Sequence, residues 1–152
     1  MKPRVTYQRV ALSLVRERAA LPYCPGPVQS ARDVVNLVRG VIHDDPREHF
    51  VAVYLDTRRK IAAVHVAAIG TGESAPVRPS EVFLPAVHMA ASAIVVAHNH
   101  PSGDPCPSAE DRNVTERLRQ AGQLLGVELL DHVVIGSDRF FSFADESYHA
   151  HR

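Results

Sequence analysis

Two histidines and an aspartate, His98, His100 and Asp111, stand where the apolar run SAIVVA opens into the stretch AHNHPSGDPCPSAED, residues 97–111. Side chains two apart on a strand project to one face, so His98 and His100 can present both imidazoles together where the strand ends. Asp111 follows eleven residues after His100, in the first turn expected of the next helix, and the loop between is long enough to fold its carboxylate back beside both rings. Two histidines and one carboxylate suit a divalent transition ion and leave a fourth tetrahedral position for water, as a catalytic rather than a closed structural site requires. Each residue also has an ordinary role, since an isolated His-x-His is common and an acid at a helix start meets the macrodipole. From spacing alone the two readings stand level. Pro101, Pro105 and Pro107 stiffen the loop and Gly103 permits a tight turn, which tips the balance towards metal.

The elements that must position these residues follow from period and punctuation. Residues 5–14 read as an edge strand, closed by the Pro/Gly break at 21–27. Ser30, with Asp33 three residues on, caps a helix whose stripe is Val34, Val35, Leu37, Val38, Val41 and Ile42. The β-branched runs from Glu48 and from Lys60 form an antiparallel hairpin, residues 71–80 a loop, and PSEVFLPAVHMAA a short helix that tolerates Pro85 only in its first turns. Ile94 to Ala97 is a buried strand. Ser108 then caps a helix carrying Val114, Leu118, Ala121, Leu124 and Leu125 and ending at Gly126. VELLDHVVIG and RFFSFAD make a second hairpin, and the tail ESYHAHR shows no period. The expected architecture is α/β, a mixed, largely antiparallel sheet sandwiched by helices. The domain boundaries expected are an extension at 1–29, one domain at 30–145 and an unordered tail at 146–152.

With 152 residues the chain suits one such domain, and its 17 basic side chains balance its 17 acids. Zero formal charge offers no general attraction to nucleic acid or anionic lipid. No apolar window reaches transmembrane length, the N-terminus lacks a secretory pattern, and Cys24 and Cys106 do not make a disulfide framework. A cytoplasmic setting is expected.

The stretch HNHPSGDPCPSAED resembles the JAMM signature, His-x-His, seven residues, Ser, two residues, Asp, in the form carried by RadC-like members of the JAB/MPN metallopeptidase superfamily. His98, His100, Ser108 and Asp111 hold the spacing, and Pro101 to Pro105 with Pro107 reproduce the filler. REHFVAVYLDTRRKI, RPSEVFLPAV, LLDHVVIG and FFSFAD are similar to RadC-type segments in the same order, covering about residues 30–145. The helix-hairpin-helix module carried upstream by many RadC proteins has no counterpart expected in residues 1–29.

The resemblance implies that His98, His100 and Asp111 bind Zn²⁺ and that Glu48 supplies the family's acid. Composition alone does not choose Glu48 over Glu73, Glu81 or Glu110, and a strand-end glutamate is ordinarily a solvated charge. In the implied mechanism Glu48 acts as general base and then general acid. Ser108, independently an N-cap, stabilises the oxyanion.

Other residues carry smaller expectations. Asp104 reads as a turn-forming acid, Asn99 as a loop-fixing residue facing away from the histidines, and Cys106 as filler that could instead occupy the water position. Asp131 and His132 read either as a satisfied polar pair or as support for a ligand. His43, His49, His65, His88, His149 and His151 have no ligand spacing. The function implied is a zinc hydrolase acting on a peptide or isopeptide bond, with a peptide or protein substrate such as a ubiquitin-like tail. The alternatives are a DNA-associated role and a non-catalytic scaffold.

Overall fold

A computed structural model describes residues 26–70 and 77–151. The expected strand at 5–14, most of the 21–27 break, Cys24 and Glu73 lie outside the described residues.

Helix α1 (Ala31–Ile42) begins where predicted. Ser30 is its N-cap, and the Asp33 carboxylate accepts from the Ser30 backbone N–H at 2.9 Å. Strands β1 (His49–Leu55) and β2 (Ile61–Ile69) form the antiparallel hairpin, followed by α2 (Pro79–His88). Pro85 sits inside α2, whose N1 residue is Pro79. Strand β3 (Ala93–Asn99) leads through the proline-rich loop into α3 (Ala109–Leu125), and β4 (Glu128–Ile135) and β5 (Arg139–Ser142) form the second hairpin.

These strands and a sixth, β6 (Ser147–Ala150), build one sheet in the order β2-β1-β3-β4-β5-β6. All neighbours run antiparallel except β3 and β4, which α3 joins as a crossover. Strand alternation sends Val51, Val53, Val95, Ala97 and Val133 to the face covered by α1. It sends Phe50, Ala52, Tyr54, Ile94 and Val96 to the face covered by α2 and α3. The expected α/β sandwich is therefore observed.

Two expectations need correction. The segment after 146 is not an unordered tail, because Ser147–Ala150 form β6 against β5. Four residues are too few to show a period, and the strand is held by partners distant in sequence. His149 stacks on Phe140, Tyr148 meets Phe141 edge-on, and the Arg139 guanidinium lies over Tyr148. The stripe on α3 also differs: Leu124 is 89% and Leu125 49% exposed, whereas Val114, Thr115, Leu118 and Gly122 are buried. Gly122 decides the rotation, since a Cβ there would collide with the Val127 carbonyl.

Candidate metal centre

The site lies at one end of the sheet. His98 and His100 close β3 on the α3 side, with His98 1% exposed and stacked on Phe50. The two Nε2 atoms are 3.0 Å apart. The capping box of α3 delivers the third member: Asp111 N–H donates to Ser108 Oγ at 3.0 Å, and Ser108 N–H donates to Asp111 Oδ2 at 2.7 Å. So held, the carboxylate brings Oδ1 to 3.1 Å from His98 Nε2 and Oδ2 to 3.2 Å from His100 Nε2. One ligand atom from each of His98, His100 and Asp111 lies within 4.8 Å of the others, the one such metal-capable group among the described residues.

The loop fixes these rings. His100 Nδ1 contacts the Asp104 carbonyl at 2.7 Å, an oxygen that can only accept, so Nδ1 carries a proton there. In neutral His100 the Nε2 lone pair is then turned towards His98 and Asp111. Gly103, at φ 82°, makes this fold, its N–H donating to the His100 carbonyl at 2.9 Å. Gly136 on the next turn must also lack a side chain, because a Cβ would fall 2.5 Å from the Gly103 carbonyl. Asp104 serves as the turn acid expected, its carboxylate accepting from Cys106 N–H at 3.1 Å.

Electrostatics reflect the crowding. For Asp111, burial pushes the carboxyl up, but the His100 and His98 rings beside it outweigh that and hold the group far below the ordinary carboxylate range. The Asp111 carboxylate raises the His100 imidazole against the opposing effect of burial, with Glu48 adding its charge from a distance. One atom from each of the three side chains could hold a cation between them. The donor set, two imidazoles and a carboxylate, fits Zn²⁺ with one position left open.

Glu48 reaches the site by pairing rather than proximity in sequence. The β1–β3 register sets Phe50 opposite His98, and continuing it by two residue pairs would bring Glu48 across from His100 on the same face. Asn99 faces away, as expected, and clamps the backbone on both sides of Glu48. Its Oδ1 accepts from His49 N–H at 2.8 Å and its Nδ2 donates to the Arg47 carbonyl at 3.0 Å. Of the rival acids, Glu81 pairs with Arg78 and Glu110 is exposed. Cys106 is exposed and outside the ligand group.

Asp131 and His132 do not form a pair. The β3–β4 register puts Asp131 beside Val95, on the α1 face, where its carboxylate accepts from Ser142 Oγ and Ala144 N–H. His132 lies beside Val96, on the α3 face, with Nε2 2.8 Å from His98 Nδ1 and Nδ1 2.6 Å from Thr115 Oγ1. Thr115 escaped the sequence reading altogether; its spacing of four from Asp111 was the available signal. Beyond His100, a cleft of about 570 Å³ runs between Arg39, His43, Asp44, Pro46 and Gly136.

An αβα sandwich with this three-donor centre at a strand end defines a JAB-like domain. The sequence profile of the RadC-like JAB domain matches residues 28–148, and the chain belongs to that family. It is 43% identical over 121 residues to a UPF0758 protein of Bacillus licheniformis, covering 80% of this chain and 54% of that protein. A UPF0758 protein of Caldanaerobacter subterraneus is 44% identical over 122 residues, covering 80% and 52%. One from Rubrobacter xylanophilus is 45% identical over 132, covering 86% and 58%. The chain thus spans about half the length of these relatives, whose designation states no activity. No helix among the described residues is long and apolar enough to cross a membrane.

Proposed function

We propose that the domain is a zinc-dependent hydrolase of peptide or isopeptide bonds, held by His98, His100 and Asp111 and served by Glu48. The observation that carries this reading is the convergence of three donors, each fixed by its own hydrogen bonds, opposite a strand-end glutamate. When bound, the ion supplies Lewis-acid activation of water and of the scissile carbonyl. Glu48 takes the proton of the attacking water on its carboxylate and passes it to the leaving amine. Ser108 Oγ already accepts from Asp111 N–H, and its own hydrogen remains to donate to the developing oxyanion. Asn99 keeps the Glu48 backbone in register throughout. The cleft beyond His100 gives a polypeptide substrate room to approach.

The test combines metal analysis with cleavage of a peptide library and of ubiquitin-like fusions. Expected are one Zn²⁺ per chain, amide hydrolysis by the wild type, and abolished turnover in Glu48→Ala with zinc retained. Wild-type turnover by Glu48→Ala would exclude the mechanism. A wild type that binds zinc but cleaves no amide would favour a scaffold instead.

A further inference from the structure

Taking the three-donor cluster as the metal centre of the proposed hydrolase, we infer that Thr115 and His132 are positioning residues that fix the ring proton of His98 on Nδ1. Its Nε2 is thereby left bare towards the metal.

Thr115 Oγ1 donates to the Asp111 carbonyl at 2.6 Å, one helical turn back. A hydroxyl has a single hydrogen, so towards His132 Nδ1, also at 2.6 Å, the oxygen can only accept. His132 must therefore carry its proton on Nδ1. The ring is 1% exposed, stacked on Phe143 and edge-on to Phe50, and its two nitrogens meet only Thr115 and His98 among the described residues. A charge there would have no carboxylate partner, so the ring is neutral and Nε2 carries a lone pair. The 2.8 Å contact then requires His98 Nδ1–H to donate. His98 Nε2 is left without a proton, facing Asp111 Oδ1 and His100 Nε2.

The chain of bonds runs from the backbone carbonyl of Asp111 through Thr115 and His132 to His98, tying α3, β4 and β3 together, and leaves His98 Nε2 3.1 Å from the Asp111 carboxylate. Ligand histidines commonly donate their second N–H to a carboxylate or a carbonyl. Here the acceptor is a neutral imidazole, which orients His98 without adding negative charge to the centre. A polar residue that merely satisfied itself in the core would have no directional requirement at Thr115.

The tautomers can be read directly in the full chain without metal, by long-range ¹H–¹⁵N NMR of the imidazoles. His98 and His132 are both expected with Nδ1 protonated and Nε2 bare. Chelator competition then reads Zn²⁺ affinity, with His132→Leu expected to weaken it roughly 10- to 100-fold and Thr115→Val to weaken it less. His132→Gln, whose amide offers one acceptor and one donor, should restore affinity to near wild type. A proton on Nε2 of His98 overturns the inference, as does a folded His132→Leu that binds zinc like the wild type. If His132→Leu fails to fold, Thr115→Val and the wild-type tautomers decide. A wild type that binds no zinc yet shows both Nδ1 protons would remove the hydrolase reading while upholding the hydrogen-bond chain.

Discussion

Among the described residues histidine meets aspartate within 3.3 Å in three places, at the end of β3, beside β6 and where His49 meets Asp45 ahead of β1, and the first alone gathers three groups that could hold an ion. At the end of β3, His98 Nε2 and Asp111 Oδ1 lie 3.1 Å apart with side chains 1% and 13% exposed. Beside β6, His149 Nε2 and Asp145 Oδ2 lie 2.9 Å apart with side chains 35% and 53% exposed. In the second cluster Ser147 Oγ donates to Asp145 and contacts His149, so the polar groups satisfy one another. In the first, the hydrogens of the ligand rings are drawn outward to Asp104 and His132, and bare donors are left facing inward. A metal centre is thus recognised less by its residue types than by where their hydrogens are spent.

Asp111→Ala should reduce bound zinc from one ion per chain to none, as read by elemental analysis after dialysis, whereas His149→Ala should leave it at the wild-type level. Equal loss in both would erase the distinction.

Asn99→Leu addresses geometry rather than metal. Freed of its clamp, Glu48 is expected to shift, and amide hydrolysis should fall by roughly 100-fold, the penalty typical of a misplacement near 1 Å. Zinc content should not change, and a parallel loss of zinc would show that the clamp serves the ligands instead.

Smaller effects should distinguish the two serines. Ser108→Ala removes an N-cap and should destabilise the metal-free protein by about 1 kcal/mol in denaturant unfolding. Ser147→Ala, at the half-buried start of β6, should stay within about 0.5 kcal/mol.

The smallest expected effect is one of pH. Burial pushes the Asp145 carboxyl up, but the Ser147 hydroxyl and the His149 charge outweigh it, so the group titrates below its ordinary 3.8. A carboxyl lowered on folding contributes stability that is present above its unfolded pKa and lost as pH falls through its folded one. Asp145→Asn should therefore flatten the melting temperature only at the acid end, below about pH 4, and only slightly because the pair is solvent-screened. A change near pH 7 would mean that the cluster does more than hold a turn.

How far the sequence disclosed this molecule depended on whether a residue's neighbours were local. His98, His100 and Asp111 were legible because strand alternation and a helix cap fix their directions within a few residues. Asp131 and His132 were not, since adjacent strand residues face opposite ways and only the β3–β4 register decides which one meets His98. Glu48 was selected by resemblance, its place opposite His100 being set by pairing fifty residues away. β6 was missed because its stacking partners lie on another strand. Leu124 and Leu125 misled because Gly122, a residue with no side chain, determines which side of α3 packs.

The single parallel pairing of the sheet also carries a consequence for unfolding. Both histidines, Asp111, Thr115 and His132 come from the continuous β3-α3-β4 unit, residues 93–135, whereas Glu48 comes from β1. An ion bound at the centre would link the end of β3 to the first turn of α3 and fasten together a stretch already local along the chain. Glu48, the proposed general base, depends on a distant antiparallel contact that such a fastening does not reinforce. Under mild denaturant, loss of catalysis should therefore precede release of zinc, leaving a loaded but inert protein.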